Sequence, residues 1–301
     1  MKNKCSAGIV LYNPNISRLK CNIDSIIKQV ERLILFDNGS INITEIEDLI
    51  KKYSYNNIKL IRSSENKGIA YALNIMVRES KIEGYNWILT LDQDSVTQEN
   101  TINIFEKYIN ENRTAIICPY VIDKRRKNIK YQIPNEETSY IKFCITSGSL
   151  INVNICEKIG GFDEWMFIGL VDNDYCKKVD ISGYKIVRVN SIVLDHELGN
   201  LTPSKFEKVY LKLESLLNID FIGKLSYKRE VDPIRLYYAT RNMIYMMKKY
   251  KLYENRKDAI IELAKNCLFS IIRGKNKIIL LKKIKNGIVD GSKVTVDCFI
   301  K

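Results

Sequence analysis

The stretch YNWILTLDQD, residues 85–94, decides the fold. Its apolar run is short and continuous, which is typical of a strand that is buried on both faces of a sheet. The run ends in two aspartates, Asp92 and Asp94, with one residue between them. Such a strand is typical of open α/β sheets, in which ligands bind outside the carboxyl ends of the strands.

Strand and helix patterns alternate on both sides of this stretch. The other predicted strands of this region are AGIVLY (7–12), RLILFD (32–37), IKLIRS (58–63) and TAIICPY (114–120). Helical patterns between them predict a mostly parallel sheet covered by helices, which is a Rossmann-like α/β fold. The same reasoning predicts a helix over 96–112 with its cap near Thr97, a strand over 141–153 and two strands over 185–200.

The net charge of +13 is unevenly distributed over the 301 residues. Residues 1–197 carry 26 Lys and Arg against 25 Asp and Glu, whereas residues 198–301 carry 22 against 10. This asymmetry predicts an α/β domain over 1–200 and a basic helical C-terminal region over 201–301. A basic region of this kind suggests an anionic surface as its partner, either membrane lipid or nucleic acid.

The eight cysteines contain no C-x-x-C pair, which argues against a zinc site. Several lie within apolar runs, as expected for reduced, buried thiols in the cytosol. The N-terminal apolar run is short and is followed by Asn13-Pro14-Asn15, so we interpret it as a first strand and not as a signal peptide. No run approaches the roughly 20 apolar residues of a membrane span, so any membrane contact is expected to be peripheral.

Three predicted strands end in polar residues, namely Asn13, then Asp37 with Asn38, then Asp92 with Asp94. These residues should line one crevice at the carboxyl edge of the sheet. In an extended segment residues i and i+2 share a face, so the two carboxylates of D-x-D are expected to point the same way. Mg²⁺ or Mn²⁺ is often bound by one or two carboxylates together with substrate phosphates. The alternative is a polar strand end that caps the next helix.

The other candidates also have structural alternatives. For Asp37 the functional prediction is a contact with a base or ribose, and the alternative is that it only closes the turn DNGS. Gly68, at the start of the helical KGIAYALN, offers N–H groups to an anion, or is a turn glycine. Asp172 and Asp174 begin a helix, where i and i+2 diverge, so at most one faces the site as a general base and the alternative is a helix cap. His196, the only histidine, suits a metal or phosphate ligand, although a lone histidine is usually structural.

Taken in order, the segments IVLYN, DNGS, NKGIAYALN, LDQD, SGSLI, GGFDEWMFIGLVDND and DHELG resemble family 2 glycosyltransferases. With PIRLYYATRN (233–242), their spacing is most similar to the bacterial rhamnosyltransferase branch. The resemblance covers the first two-thirds well and the helical tail loosely. It implies a GT-A fold, inversion at the anomeric carbon, and Mn²⁺ or Mg²⁺. It also implies a nucleotide-sugar donor, either dTDP-rhamnose or a UDP-sugar.

The acceptor implied by the resemblance is a lipid-linked saccharide in the synthesis of capsule, O-antigen or wall polysaccharide. The expected location is the cytoplasmic face of the cell membrane. By resemblance, Asp172 matches the catalytic base, Asp92 and the more direct Asp94 match the metal ligands, and His196 matches a metal or diphosphate ligand. The motifs further assign Tyr12, Asn13, Asp37, Asn66, Gly68, Asn74, Asp92 and Gln93 to the nucleotide and donor, and Asp163 and Trp165 to the acceptor side.

One position departs from the family pattern, because Val171 stands where many relatives have Glu. Among other classes, a sugar nucleotidyltransferase needs a glycine-rich basic loop where this chain has LYNPNIS. A metal-dependent nuclease or a nucleic-acid-binding module would use the basic tail to hold nucleic acid. Both are less favoured, since the lysines of KNKIILLKKIK (275–285) alternate with Ile and Leu as on a membrane-lying helix. The alternative for this segment is packing against the rest of the protein.

Overall fold

The computed structural model describes residues 5–54, 57–123, 131–195, 201–217, 223, 226–229 and 231–300. The chain divides into two units, the first comprising residues 1–122 and 133–195 and the second comprising residues 123–132 and 196–300.

Within its described residues, the first unit contains an eight-stranded sheet of order β3-β2-β1-β4-β7-β5-β8-β6. Its strands are β1 (Cys5–Leu11), β2 (Arg32–Asn38), β3 (Ile58–Ser63), β4 (Trp87–Asp92), β5 (Thr114–Ile122), β6 (Thr138–Ile141), β7 (Ser149–Asn152) and β8 (Lys185–Asp195). Its helices are α1 (Ile16–Ile26), α2 (Ile43–Lys51), α3 (Ile69–Ile82), α4 (Thr101–Phe105), α5 (Val153–Lys158) and α6 (Val171–Ile181). Strands β3, β2, β1 and β4 are parallel, whereas β7 is antiparallel to both β4 and β5. The predicted mostly parallel α/β fold is confirmed.

The order of the strands determines where the crevice lies in the sheet. Strand β2 lies on one side of β1 and β4 lies on the other, so the chain changes direction between them. Ligands in open α/β sheets bind at such a switch point, outside the carboxyl ends of the strands. In this register Leu11 is opposite Asp37 and Val10 is opposite Asp92. The polar ends of β1, β2 and β4 therefore meet at one edge of the sheet.

Two local predictions are wrong, and a third falls partly outside the described residues. The helix predicted over 96–112 is only Thr101–Phe105, because Thr97 instead donates its N–H and hydroxyl to Ser25 of α1. The strand predicted over 141–153 is two strands, β6 and β7, separated by a turn that contains Gly148 at φ +78°. Over 185–195 there is one strand, β8, whose register against β5 shifts in the middle. That shift interrupts the alternation of side chains along the strand and explains why the pattern predicts two strands. The part of the prediction over 196–200 lies outside the described residues.

The second unit is built largely from helices. Its elements are β9 (Leu201–Pro203), α7 (Glu207–Leu217), β10 (Tyr227–Arg229), α8 (Pro233–Lys249), α9 (Arg256–Arg273) and α10 (Lys277–Lys293). Leu236 of α8 and Leu280 and Ile284 of α10 form a buried apolar cluster. Gly287 and Gly291 let α10 approach α8 closely, since a Cβ at either position would lie 2.8 Å from a backbone oxygen of α8.

The apolar face expected on residues 275–285 is divided in the structure. Ile284 is buried against α8 and α9, so the packing alternative holds for this residue. Ile278, Ile279 and Leu281 are exposed, with Ile278 at 80%. No helix in the described part of the chain is long and apolar enough to cross a membrane.

Candidate active site

Asp92 ends β4 with its backbone fixed on both sides. Asn22 of α1 donates its side-chain amide to the Asp92 carbonyl at 2.7 Å, and the Asp92 N–H donates to the Ser147 hydroxyl at 3.0 Å. Asn22 and Ser147 are both buried, so these contacts are partly shielded from water. The carboxylate of Asp92 is thereby carried on a rigid support at the edge of the sheet.

Asp94 lies in a turn and not in the strand, because the Ser95 N–H bonds back to the Asp92 carbonyl at 3.2 Å. The same-face argument for an extended segment therefore does not apply to Asp94. Its side chain is 46% exposed, and Arg18 Nη1 of α1 lies 3.9 Å from its Oδ2. Arg18 brings a positive charge to the D-x-D turn, and sequence reasoning did not identify it.

Two carboxylates, one at the end of β4 and one in the turn that follows, are the ligand type that a divalent cation of the kind predicted prefers. In the described part of the chain, no three His, Cys, Asp or Glu side chains are grouped to hold a metal by themselves. A hard divalent ion commonly takes only one or two protein carboxylates and completes its shell with phosphates and water. His196, the third predicted ligand, lies outside the described residues.

The turns that follow β1, β2 and β4 are cross-linked by side chains. Gln93 accepts from the Tyr12 N–H at 2.8 Å, and Asn13 accepts from the Ile41 N–H at 2.9 Å. Asn13 has a positive φ of 48°, which asparagine tolerates better than most residues. Gln93 and Asn13 therefore hold the turns together, while the side chain of Tyr12 is 47% exposed.

Asp37 is directed at its own turn. It is buried, and both of its carboxylate oxygens accept from the Ser40 N–H, at 3.2 and 3.4 Å. Gly39 in this turn has φ +80°, and a Cβ there would lie 2.7 Å from the carbonyl carbon of Glu65. The turn alternative for Asp37 is thus present in the structure, and a contact with the nucleotide stays a prediction.

Protein acceptors occupy three N–H groups at the start of α3. The N–H groups of Lys67 and Gly68 donate to the side chains of Asn38 and Asn66, and the Ile69 N–H donates to the Phe167 carbonyl at 2.7 Å. An anion site at this helix start cannot use these three groups. Asn66 and Gly68 shape the turn that precedes α3, and their contact with the donor stays a prediction.

Asn74 of α3 contacts the loop that precedes α6. Its Oδ1 accepts from the Phe162 N–H at 2.8 Å, and its Nδ2 donates to the Phe162 carbonyl at 2.9 Å and to Glu164 Oε1 at 2.8 Å. The same loop carries the predicted acceptor-side residues, of which Asp163 accepts from the Trp165 N–H at 3.2 Å. Asn74, which sequence reasoning assigned to the donor, thus contacts the loop that carries the predicted acceptor-side residues.

Asp172 and Asp174 diverge at the start of α6. Asp174 is fully buried and pairs with Lys178 at 3.4 Å. Asp172 is partly exposed and lines a small recess together with Thr146, Ser149 and other residues of the unit. Of the two, only Asp172 has the accessibility that a general base for an external hydroxyl requires.

Two buried thiols, of Cys144 and Cys176, line the same recess as Asp172. The sulfur atoms of Cys144 and Cys176 are 3.8 Å apart, and Cys176 follows Asp172 by one helical turn. Hydrogen bonding to Cys144, together with burial, raises the pKa of the Cys176 thiol well above its usual range. A hydrogen bond with Cys118 likewise raises the pKa of Cys144. These two thiols therefore stay protonated and uncharged at physiological pH.

Residues 6–169, more than half of the chain, match the family model described as glycosyl transferase family 2. The chain belongs to glycosyl transferase family 2. It is an enzyme of the glycosyltransferase class, and the matched range contains the D-x-D turn and the loop before α6.

Comparisons with individual proteins are consistent with this family. The chain is 26% identical over 308 aligned positions to a dTDP-rhamnosyl transferase, RfbF, of Shigella flexneri, covering 97% of this chain and 96% of the relative. Staphylococcus aureus TarS 1-349 in complex with UDP-GlcNAc superposes with a TM-score of 0.58 at 12% identity, covering 96% and 80% of the two chains. The mannosyltransferase PcManGT of Pyrobaculum calidifontis, in complex with GDP-Man and Mn²⁺, gives 0.53 at 12% identity, covering 96% and 86%. The fold of this family 2 enzyme is therefore GT-A.

Proposed function

We propose that this family 2 enzyme transfers L-rhamnose from dTDP-rhamnose to a lipid-linked saccharide, with inversion, in the synthesis of a bacterial surface polysaccharide. The observation that carries the proposal is the similarity to a dTDP-rhamnosyl transferase over nearly the full length of both chains. A second candidate is a hexosyl- or galactofuranosyltransferase that uses a UDP-sugar. The likeness to a structure that holds UDP-GlcNAc favours this candidate.

In the proposed mechanism Asp172 removes the proton of the acceptor hydroxyl. The hydroxyl oxygen forms the bond to the anomeric carbon as the bond to the diphosphate oxygen breaks, and the proton passes to the Asp172 carboxylate. General-base assistance of this kind contributes about 10²–10⁴-fold. Asp92 and Asp94 would hold Mn²⁺ or Mg²⁺, which supplies neutralisation of the charge on the leaving nucleoside diphosphate.

A panel of nucleotide sugars tests this proposal. Purified protein with Mn²⁺ is given dTDP-rhamnose, UDP-galactofuranose, UDP-galactose and UDP-glucose separately, and release of the nucleoside diphosphate is measured with a lipid-linked saccharide extract. We expect turnover of dTDP-rhamnose that the Asp172→Asn variant loses. Turnover of a UDP-sugar alone would support the second candidate, and no turnover of any donor would refute both.

The second unit is proposed to lie on an anionic membrane. Residues 198–301 have 22 basic against 10 acidic side chains, and most of the exposed large apolar side chains among the described residues are in this unit. On α9, Ile261, Leu268 and Ile272 are exposed at helical spacing, and the exposed Lys257 and Lys265 lie on the same helix. Apolar residues with flanking lysines suit the headgroup region of a bilayer, where each lysine adds about 1 kcal/mol.

Sedimentation with liposomes tests the membrane proposal. We expect the protein to sediment with vesicles that contain phosphatidylserine, less so in high salt, and the double variant Leu268→Ser with Ile272→Ser to remain in the supernatant. Ile82→Ser is the control, because Ile82 is an exposed isoleucine of the first unit. Preference for an oligonucleotide over the vesicles would favour the nucleic-acid alternative.

A further inference from the structure

The loop formed by residues 160–170 has an unusually constrained backbone. Positive φ values occur at Gly160, Gly161, Phe167, Gly169 and Leu170. For non-glycine residues such as Phe167 and Leu170 this conformation is costly, and it persists only where the surroundings determine it. Such residues concentrate at functional sites.

Asn74 is one of the groups that determine this conformation. Its side-chain amide forms a two-way hydrogen bond with the backbone of Phe162, as one backbone segment does with another in a sheet. Gly161 makes the approach feasible, since a Cβ there would lie 2.7 Å from Asn74 Oδ1. Both N–H donors of the amide have acceptors in the loop, Phe162 and Glu164, and an amide has only two such donors.

The loop is held at two further points. Lys178 of α6 donates to the Gly161 carbonyl, and it also pairs with Asp174 on its own helix. The Phe167 carbonyl accepts from the Ile69 N–H at the start of α3. The loop is therefore fastened to α3 and to α6, the helix that carries Asp172.

We infer that Asn74 is a positioning residue that sets the acceptor-side loop relative to Asp172, and not a ligand of the nucleotide sugar. Its amide forms hydrogen bonds with backbone atoms of the loop segment that carries Asp163 and Trp165. Its effect is therefore on the position of this segment. The consequence for turnover rests on the proposed function, whereas the contact with the loop does not.

Trp165 reports the position of the loop without any substrate. The sequence has two tryptophans, so a Trp87→Phe background leaves Trp165 as the single indole. In this background Asn74→Asp keeps the shape of the side chain but removes both donors and adds a negative charge beside Glu164. We expect acrylamide quenching of Trp165 to increase by about twofold as the loop loosens. Asn103→Asp, which changes an exposed asparagine of α4, is the control for the added charge and should leave quenching unchanged.

Binding and turnover separate the two roles. Titration of dTDP and of UDP in the presence of Mn²⁺ is expected to give dissociation constants within about twofold of wild type for Asn74→Asp, because the nucleotide is not a partner of this amide. With the donor that the wild type uses, we expect kcat to fall by roughly 10²-fold or the acceptor KM to rise, since a misplacement of about 1 Å has this cost. The double variant Asn74→Asp with Glu164→Gln should regain part of the loss, because the new amide at position 164 can donate to the new carboxylate at position 74.

The binding and quenching results together decide whether Asn74 positions the loop or binds the donor. A roughly tenfold weaker binding of dTDP and UDP with unchanged Trp165 quenching would overturn the inference, since that pattern belongs to a donor ligand. If Asn74→Asp does not fold, Glu164→Ala removes one of the same contacts from an exposed position and should increase quenching in the same direction. Failure of the wild type to use any nucleotide sugar would refute the proposed function alone, because the quenching comparison needs no donor.

Discussion

Replacement of Lys178 by Met is expected to destabilise the first unit severely. Lys178 lies one helical turn after Asp174 on α6, with its Nζ 3.4 Å from Asp174 Oδ2 and side-chain exposures of 4% and 0%. Met fills similar space but has no charge, so the buried carboxylate of Asp174 would lose its cationic partner. Removing one partner of a buried ion pair costs about 3–5 kcal/mol. For a domain of this size such a loss lowers the Tm by roughly 6–20 °C.

The assay is thermal unfolding followed by circular dichroism, with Lys178→Met compared with the double variant Lys178→Met and Asp174→Asn. The double variant removes both charges, and replacing a buried pair by neutral groups is often close to neutral, so it should recover part of the lost stability, while the hydrogen bond from Lys178 to the Gly161 carbonyl stays lost. Lys142→Met is the control, because Lys142 forms an exposed pair with Asp180 at 4.0 Å. A single variant within about 1 kcal/mol of wild type, or no recovery in the double variant, would refute the charge-pair explanation.

Four other outcomes are expected. Chelation should abolish transfer and Mn²⁺ or Mg²⁺ should restore it, while Asp94→Asn keeps its fold by circular dichroism but loses activity; full turnover in excess chelator would exclude the metal. Asp172→Asn should bind dTDP normally and lose kcat by about 10²–10⁴-fold, more than the stability-corrected loss of Asp174→Asn. Gly287→Ala should cost about 1–3 kcal/mol in urea unfolding, since its Cβ would lie 2.8 Å from the Tyr237 carbonyl oxygen, whereas the exposed Ser292→Ala should not. Iodoacetamide should label the exposed Cys21 in the native protein before Cys144 and Cys176, whose thiol pKa values are raised, as read by mass spectrometry.

The sheet was predictable because its strands are buried on both faces. In β1, β2 and β4 nearly every residue is buried, so the apolar runs were continuous and the alternation with helices was plain. The helix over 96–112 failed for a tertiary reason, since Thr97 bonds to Ser25 of α1 and to Gln29 just after it, and these contacts hold the segment out of helical geometry. Contacts between segments about 70 residues apart in sequence leave no local pattern.

Sequence reasoning names a candidate site residue more readily where the residue would act through its own charge than where it acts on the backbone. Asp92 and Asp94 were named as candidates from residue type and position, and their role as metal ligands stays a prediction. Asn22, Ser147 and Arg18, which fix or face the D-x-D turn, were missed, since single polar residues on a helix or turn carry no distinguishing pattern.

Asparagine side chains explain why donor-side and scaffold residues could not be separated from sequence. Asn13, Asn38, Asn66 and Asn74 all use side-chain oxygens to accept from backbone N–H groups of turns or loops. An amide presents the same donor and acceptor pair as a peptide group, so it can join two backbone segments that form no ladder. A crevice at the carboxyl ends of parallel strands needs such residues, because its turns carry N–H groups that no strand satisfies. The same amides would suit a nucleotide equally well, and only the direction of each side chain decides between the two uses.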